Sequence, residues 1–129
     1  MATMIAERFI DHVKELHERV ASWLMQIDKK ARIENSQSVR LYFEKIPYQV
    51  PRLTFRRGTG QEIDLIPRGT TITSEGRVDV VSSMGSETLL YLPGDGWVWE
   101  NEEIAAGVMR PLETLDADLF LKLLESLGE

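Results

Sequence analysis

Cysteine is absent from the 129 residues of this chain, which excludes a disulfide-stabilised scaffold, thiol catalysis and zinc sites built from cysteine alone. Long apolar runs are also absent, because none approaches the ~18 residues that a membrane-spanning helix needs. The N-terminal residues lack the basic-then-apolar order of a signal peptide. We therefore expect a cytoplasmic protein that does not enter a membrane.

Histidine is scarce, and the two residues present, His12 and His17, do not have the spacing of a metal site. Five positions apart on a helix, their side chains would point about 140° apart, whereas two ligands of one zinc ion need a common face. We therefore expect no bound metal. His12 remains a candidate binding residue, because Glu15 lies within helical reach of it.

Phosphate-binding loops and nucleophile elbows are missing too. The two Gly-x-Gly segments, residues 58–60 and 94–96, lack the third glycine of a dinucleotide-binding loop and open no predicted helix. Ser86 lacks the flanking glycines of a nucleophile elbow. These absences predict that the protein needs no cofactor, and they favour a protein that is not an enzyme.

The residues that are present describe an ordinary globular chain. Hydrophobic residues make up 43% of it and charged residues 28%, which excludes collagen-like and disordered classes. No internal repeat, low-complexity tract or linker divides the sequence. A single domain over residues 1–129 is the prediction.

The first thirty residues follow a helical period. Apolar side chains recur at spacings of four and three, which predicts an amphipathic helix over residues 4–30, ended by the polar segment 35–38. At 1.5 Å per residue this helix would be ~40 Å long, against a domain diameter of ~36 Å, so it must span the body, bend or project toward a partner. The apolar seam consists of Phe9, Val13, Leu16, Val20, Trp23 and Ile27.

From residue 38 to residue 100 the apolar period changes to two, which is typical of strands. Short turns that contain glycine or proline separate the apolar segments, and such short connections favour antiparallel neighbours. Pro47 and Pro51 place the segment around Tyr48 at a sheet edge or at a crossing between sheets. The predicted strands are 39–44, 53–57, 61–66, 70–73, 77–83, 87–92 and 97–100.

The last part of the chain predicts a loop over residues 101–113 and then a short helix. Asp116 has the position of an N-cap, and Gly128 ends the helix. The complete prediction is an α+β fold: a long N-terminal helix packed on an antiparallel meander of about six or seven short strands, followed by a short C-terminal helix. This order resembles the layout of cystatin-like folds. Residues 88–92 are apolar on both strand faces, so the face without the long helix needs cover from the C-terminal helix, sheet curvature or a second subunit.

Charge is unevenly distributed along this acidic chain, whose net charge is −6. Residues 40–77 carry seven basic and four acidic side chains, whereas residues 78–129 carry two basic and eleven acidic ones. Arginines interleaved with aromatic residues could meet nucleic acid, or they could pair internally with the acidic C-terminal third. The acidic balance of the whole chain makes nucleic-acid binding the less favoured interpretation, and a basic protein partner for the acidic third is a further alternative.

Several strand residues are candidates for a binding site. Asp64 and Asp79 interrupt apolar strand positions, and they would form a polar spot in a pocket if they shared a concave sheet face with Arg77 or Tyr91. Otherwise they would be ordinary solvent-facing residues.

The two tryptophans of the last predicted strand, Trp97 and Trp99, share one strand face. There they would be core, dimer seam or an open aromatic platform.

The segment 61–66 resembles the acidic strand of PD-(D/E)xK nucleases, in which an aspartate holds a divalent metal and a Glu-x-Lys follows. Here the following motif would be Glu75-Gly76-Arg77, with arginine in place of lysine and a turn in place of a strand. Arginine keeps its proton and cannot replace that lysine. We therefore reject the nuclease interpretation.

Two functional hypotheses remain, and a third is less favoured. The first is a non-catalytic protein-interaction domain, such as a small acidic adaptor, chaperone or immunity-type protein, acting as a homodimer. The second is a small-molecule binding protein or small enzyme that uses a pocket on the concave sheet face. Nucleic-acid binding through the arginines of residues 40–77 is the third.

Overall fold

The computed structural model describes residues 2–34, 37–71, 74–100 and 114–128. It confirms the predicted α+β fold: a long N-terminal helix, a six-stranded antiparallel sheet with a separate two-stranded sheet, and a short C-terminal helix. The elements are α1 (Ala2–Ile27), β1 (Arg32–Glu34), β2 (Val39–Phe43), β3 (Ile46–Val50), β4 (Leu53–Arg56), β5 (Glu62–Gly69), β6 (Gly76–Ser82), β7 (Gly85–Leu92), β8 (Gly96–Glu100) and α2 (Ala117–Ser126).

The six-stranded sheet has the order β1-β4-β5-β6-β7-β8, with every neighbouring pair antiparallel. From β4 onward each strand pairs with the next one in the chain, which is the predicted meander. The strands β2 and β3 form their own hairpin, closed by Glu44 and Lys45 at φ values of 50° and 69°. Two successive positive φ angles suit a two-residue hairpin turn. Because this sheet has only two strands, Tyr48 lies on an edge strand, as Pro47 predicts.

The predicted end of the first helix is wrong. α1 ends at Ile27, and the chain then forms β1 instead of continuing helically to residue 30. Asp28 explains the stop, because its carboxylate accepts hydrogen bonds from the backbone N–H of Lys30 at 3.0 Å and of Gly58 at 2.8 Å. Those bonds hold the chain away from helical geometry. Residues 35 and 36 of the predicted stop signal lie outside the described residues.

Two further predicted segments lie partly or wholly outside the described residues. Thr70 and Thr71 are not in a strand, and residues 72–73 of the same predicted strand lie outside the described residues. In its place β5 extends to Gly69, with an irregular register against β6 between Pro67 and Gly69. The predicted loop over residues 101–113 also lies outside the described residues.

The apolar seam of α1 is buried against the protein's own sheet. Phe9, Val13, Leu16 and Val20 have no exposed surface, while Trp23 and Ile27 are partly buried at the margin of the core. Leu24, outside the predicted seam, is buried as well. A straight helix of 3.6 residues per turn drifts away from a strict seven-residue repeat, and the drift brings Leu24 inward. The long helix therefore lies along the body.

The inner face of the sheet, defined as the face toward α1, supplies the other half of the core. Its buried side chains are Leu53, Phe55, Ile63, Leu65, Val78, Val80, Leu89 and Trp97. The short helix α2 packs on the same side, where Phe120 contacts Trp23 and Phe55 at ring-centroid distances of 5.6 and 6.4 Å. Asp116 caps α2 by accepting the Leu119 N–H, as predicted.

The outer face, opposite α1, carries the alternate residues of the same strands. The strand register aligns Thr54, Asp64, Val81 and Ser86 in one row across the sheet. A second row contains Ile66, Asp79, Thr88 and Glu100, and a third contains Arg77, Leu90 and Val98. Charged residues thus alternate with aliphatic ones on this face. Among the described residues, no helix is both long enough and apolar enough to cross a membrane.

Candidate functional site

Asp79 is the centre of a hydrogen-bonded cluster on the outer face. Arg68 and Arg77 donate through their Nε atoms to its two carboxylate oxygens, each at 2.9 Å, and Thr88 Oγ1 donates at 3.3 Å. The Asp79 side chain is 13% exposed, whereas those of Arg68 and Arg77 are 50% and 44% exposed. One largely buried carboxylate therefore pairs with two guanidinium groups that remain about half exposed.

The electrostatics of this cluster follow from its geometry. Burial by itself would raise the pKa of Asp79, but the hydrogen bonds from Arg77 and Arg68 outweigh burial and hold that pKa below its usual value. Asp79 is therefore ionised at neutral pH. Its two arginine partners leave one positive charge in excess.

Asp64 forms a second cluster one row away on the same face. Arg52 reaches both carboxylate oxygens, through Nη2 at 2.9 Å and Nε at 3.3 Å, and the Thr54 hydroxyl donates to Asp64 as well. A two-point contact of this kind fixes the plane of the guanidinium group. Arg56 extends the arrangement toward the sheet edge, where it pairs with Glu34 and Glu62 at 3.0 Å each.

Five of the six arginines of residues 40–77 thus form internal ion pairs, and internal pairing was one of the two interpretations of this basic segment. Their partners, however, are mostly not in the acidic C-terminal third. Arg57 pairs with Asp28, at 2.9 Å, and of the carboxylates in these pairs only Asp79 comes from residues 78–129. Hydrogen bonds from the Gly58 backbone and from Arg57 lower the pKa of Asp28.

His12, Tyr91 and Trp97 meet on the other side of the sheet, where α1 crosses β7 and β8. The imidazole of His12 stacks on the Tyr91 ring, with centroids 3.6 Å apart and planes at 14°. Tyr91 also meets Trp97 edge-on at 5.4 Å, and the Trp97 indole N–H donates to the backbone carbonyl of His12 at 3.0 Å. His12 Nε2 lies 3.5 Å from Glu75 Oε2, which becomes an ion pair when the imidazole is protonated.

A cleft of about 290 Å³, called the rim cleft here, opens beside these aromatic residues. It lies between the middle of α1 and the turn that joins β7 to β8. Glu15, Arg19 and Trp23 line it from the helix, and Tyr91, Asp95 and Trp97 line it from the sheet. Glu15 and Arg19 pair with each other at 2.9 Å.

The seven candidate residues from the sequence therefore fall into separate places. Asp64, Asp79 and Arg77 share the outer face, whereas His12, Tyr91 and Trp97 lie together on the inner side of the sheet. Trp99 is half-buried against the core, and its indole N–H donates to Glu87 at 3.0 Å. The two aspartates do share a face with Arg77, but not with Tyr91.

Residues that the sequence did not mark as binding candidates complete both places. Arg68 and Thr88 belong to the Asp79 cluster, and their roles depend on strand register, which no local pattern reveals. Asp95 and Glu75 border the aromatic group from turns, where acidic residues are common for local reasons.

Within the described ranges, no group of three or more histidine, aspartate or glutamate side chains could hold a metal ion. Comparison of the chain with known protein families, with curated proteins and with solved structures finds no match.

Proposed function

We propose that this protein is a non-catalytic protein-interaction domain, and that a second copy of the chain binds to its outer face. The observation that carries the proposal is the charge balance of that face. Among the described residues, this face carries five arginines and five carboxylates, whose charges balance, whereas the whole chain has a net charge of −6. The basic members are Arg32, Arg52, Arg56, Arg68 and Arg77, and the acidic members are Glu34, Glu62, Asp64, Asp79 and Glu100.

Charge balance matters because two copies of an acidic chain repel each other. Contact through a neutral face avoids most of that repulsion, and a face that carries both signs can be complementary to itself across a two-fold axis. The same balance opposes nucleic-acid binding, since a carboxylate stands beside each arginine cluster and would repel phosphate groups.

The outer face is also large enough for a specific interface between two chains. Six strands about 4.8 Å apart, with about six residues each at about 3.3 Å per residue, span roughly 29 by 20 Å, or about 600 Å² in projection. A specific interface buries about 800 Å² of accessible surface per partner, and a corrugated face exposes more area than its projection. Arginine is enriched at interfaces, and the arginines here remain about half exposed after pairing.

The test is the molar mass in solution, measured by light scattering over a series of protein concentrations. We expect reversible conversion from one to two chains per particle. Arg77→Ala removes one outer-face guanidinium while Arg68 still partners Asp79, and it should weaken the dimer about tenfold, the effect of a modest interface hot spot. Arg40→Ala is the matched control, because Arg40 is an exposed strand residue of the separate β2–β3 sheet.

Both variants should keep the far-ultraviolet circular dichroism and the thermal midpoint of the parent protein, so that a change of mass reports the interface. A chain that stays monomeric at the highest soluble concentration would refute self-association. Equal weakening of the dimer by Arg77→Ala and Arg40→Ala would place the interface elsewhere.

A further inference from the structure

The rim cleft lies on the inner side of the sheet and takes no part in the outer-face contact. Its volume, about 290 Å³, stands at the lower end of ligand pockets and equals the liquid volume of about ten water molecules. It therefore suits a small organic ligand. Its floor contains Leu16, Trp97 and Leu115, which are almost completely buried, so the inner end of the cleft is apolar.

The aromatic walls of the cleft are fixed by contacts outside it. The one hydrogen-bond donor of Trp97 is used by the His12 carbonyl, and Tyr91 is held by its stack on His12. Trp23 packs against Phe120 of α2. The indole N–H of Trp97 is therefore occupied, and because Trp97 is only 4% exposed, the aromatic surface open to the cleft comes mainly from the half-buried Trp23 and Tyr91.

Among the described residues that line the cleft, one carboxylate has no ion-pair partner. Glu15 and Arg19 form a mutual ion pair at 2.9 Å, which neutralises both at the helix side. Asp95 lines the sheet side, and its carboxylate makes no ion pair with any described residue. The described lining of the cleft thus combines aromatic surface with one net negative charge.

We propose that the rim cleft binds an organic cation of the trimethylammonium class. A quaternary ammonium group is attracted to the faces of Trp and Tyr rings, cannot donate a conventional hydrogen bond, and gains from a nearby carboxylate. A metal ion would instead need several side-chain ligands, and among the described residues no group of three or more His, Asp or Glu side chains could supply them. The ligand chemistry is the same whether the group belongs to a free small molecule or to a trimethylated lysine side chain.

The first experiment compares choline with 3,3-dimethylbutan-1-ol by isothermal titration calorimetry. The two molecules have nearly the same shape and differ by the replacement of the charged nitrogen with carbon. Choline, with seven heavy atoms, should bind with a dissociation constant of about 1 mM. The neutral alcohol should bind at least about fivefold more weakly, because the cation–π and carboxylate attractions are lost.

The second experiment locates the site. Asp95→Asn keeps the shape of the turn and removes its charge, and it should weaken choline binding about fivefold or more. Asp118→Asn, at an exposed position of α2 outside the cleft, is the control with the same chemical change. Choline should shift the indole N–H resonances of Trp23 and Trp97 and leave that of Trp99, which does not line the cleft, in place.

A trimethyllysine peptide, measured beside choline, separates the two sources of the ligand. Tighter binding of the peptide than of choline assigns the cleft to a protein partner, and the reverse assigns it to a free small molecule. The proposal is overturned by no choline binding, by equal binding of choline and the neutral alcohol, or by equal effects of Asp95→Asn and Asp118→Asn. None of these outcomes depends on whether the protein dimerises, so the outer-face proposal stands or falls separately.

Discussion

Replacing Gly76 by alanine probes the packing of α1 on the sheet at one contact. Gly76 begins β6, is buried, and is not among the glycines with positive φ, so alanine brings no backbone strain there. The added Cβ would, however, lie 2.5 Å from Cδ1 and 2.6 Å from Cε1 of Phe9. Phe9 has no exposed surface and cannot swing into solvent. The methyl group therefore forces the helix and the sheet apart.

The magnitude is the difference of two opposing effects. Overpacking a filled core costs about 1–3 kcal/mol in the free energy of unfolding. Alanine also restricts the unfolded chain relative to glycine, which stabilises the folded state by about 0.4–1 kcal/mol. The expected net loss for Gly76→Ala therefore lies between about 0 and about 2.6 kcal/mol, centred on ~1.3 kcal/mol. It should be measured by urea denaturation followed by far-ultraviolet circular dichroism.

A double-mutant cycle identifies the cause of that loss. Phe9→Val removes both ring atoms that the methyl group would meet, and by itself it destabilises the protein through the cavity it leaves. In the Phe9→Val protein the same Gly76→Ala change fills part of that cavity and should be neutral or stabilising, so the two substitutions should couple by about 1–3 kcal/mol. Equal destabilisation in both proteins would show that Phe9 does not oppose Gly76, and that α1 does not pack on β6 at this point.

Two further substitutions test the helix. Leu16→Ala, at a fully buried seam position, should lower the free energy of unfolding by about 2–5 kcal/mol, and a cost within experimental error would mean that the seam faces solvent. Burial lowers the pKa of His17 to about 4, whereas unfolding restores a value near 6.5. Between these pH values the unfolded chain binds more protons than the folded one. The free energy of unfolding of the wild type should therefore fall as the pH drops from 6.5 toward 4. In His17→Gln this part of the pH dependence should disappear, as measured by urea denaturation at pH 7 and pH 5. A pH dependence equal to that of the wild type would contradict the assignment to His17.

The elements that could be predicted from local sequence are those whose apolar residues repeat with a clear helical or strand period. The seam from Phe9 to Val20 and the alternation in β5 to β8 gave correct element types, and Asp116 gave a correct cap. The end of α1 could not be predicted, because Asp28 acts through Arg57 and Gly58, about thirty residues later in the chain. The three-residue strand β1 is too short to show an alternation of its own.

The candidate sites show the same contrast between what local sequence sets and what contacts between distant residues set. Arg77 and Asp79 are two residues apart, so the strand period already places them on one face. Arg68 joins them only because β5 pairs with β6 in a specific register, and that register is set by the tertiary structure rather than by local sequence. The stack of His12 on Tyr91 joins residues that are 79 positions apart in the sequence. No local pattern encodes such a contact.

The outer face shows how a sheet can leave one side without a covering helix in the described part of the chain. Because β7 has apolar side chains on both faces, the sequence led to the expectation that the outer face is covered. On that face, however, Leu90 has the charged Arg77 as its register neighbour in β6. Arginine side chains can lay their aliphatic stems over apolar neighbours while their charged ends reach solvent, and the carboxylates of Asp64 and Asp79 fix where those ends lie. The α1 seam and the inner face of the sheet bury the described core residues within one chain. Association through the outer face would replace water on paired charges rather than complete a core, which makes it weak, reversible and sensitive to salt.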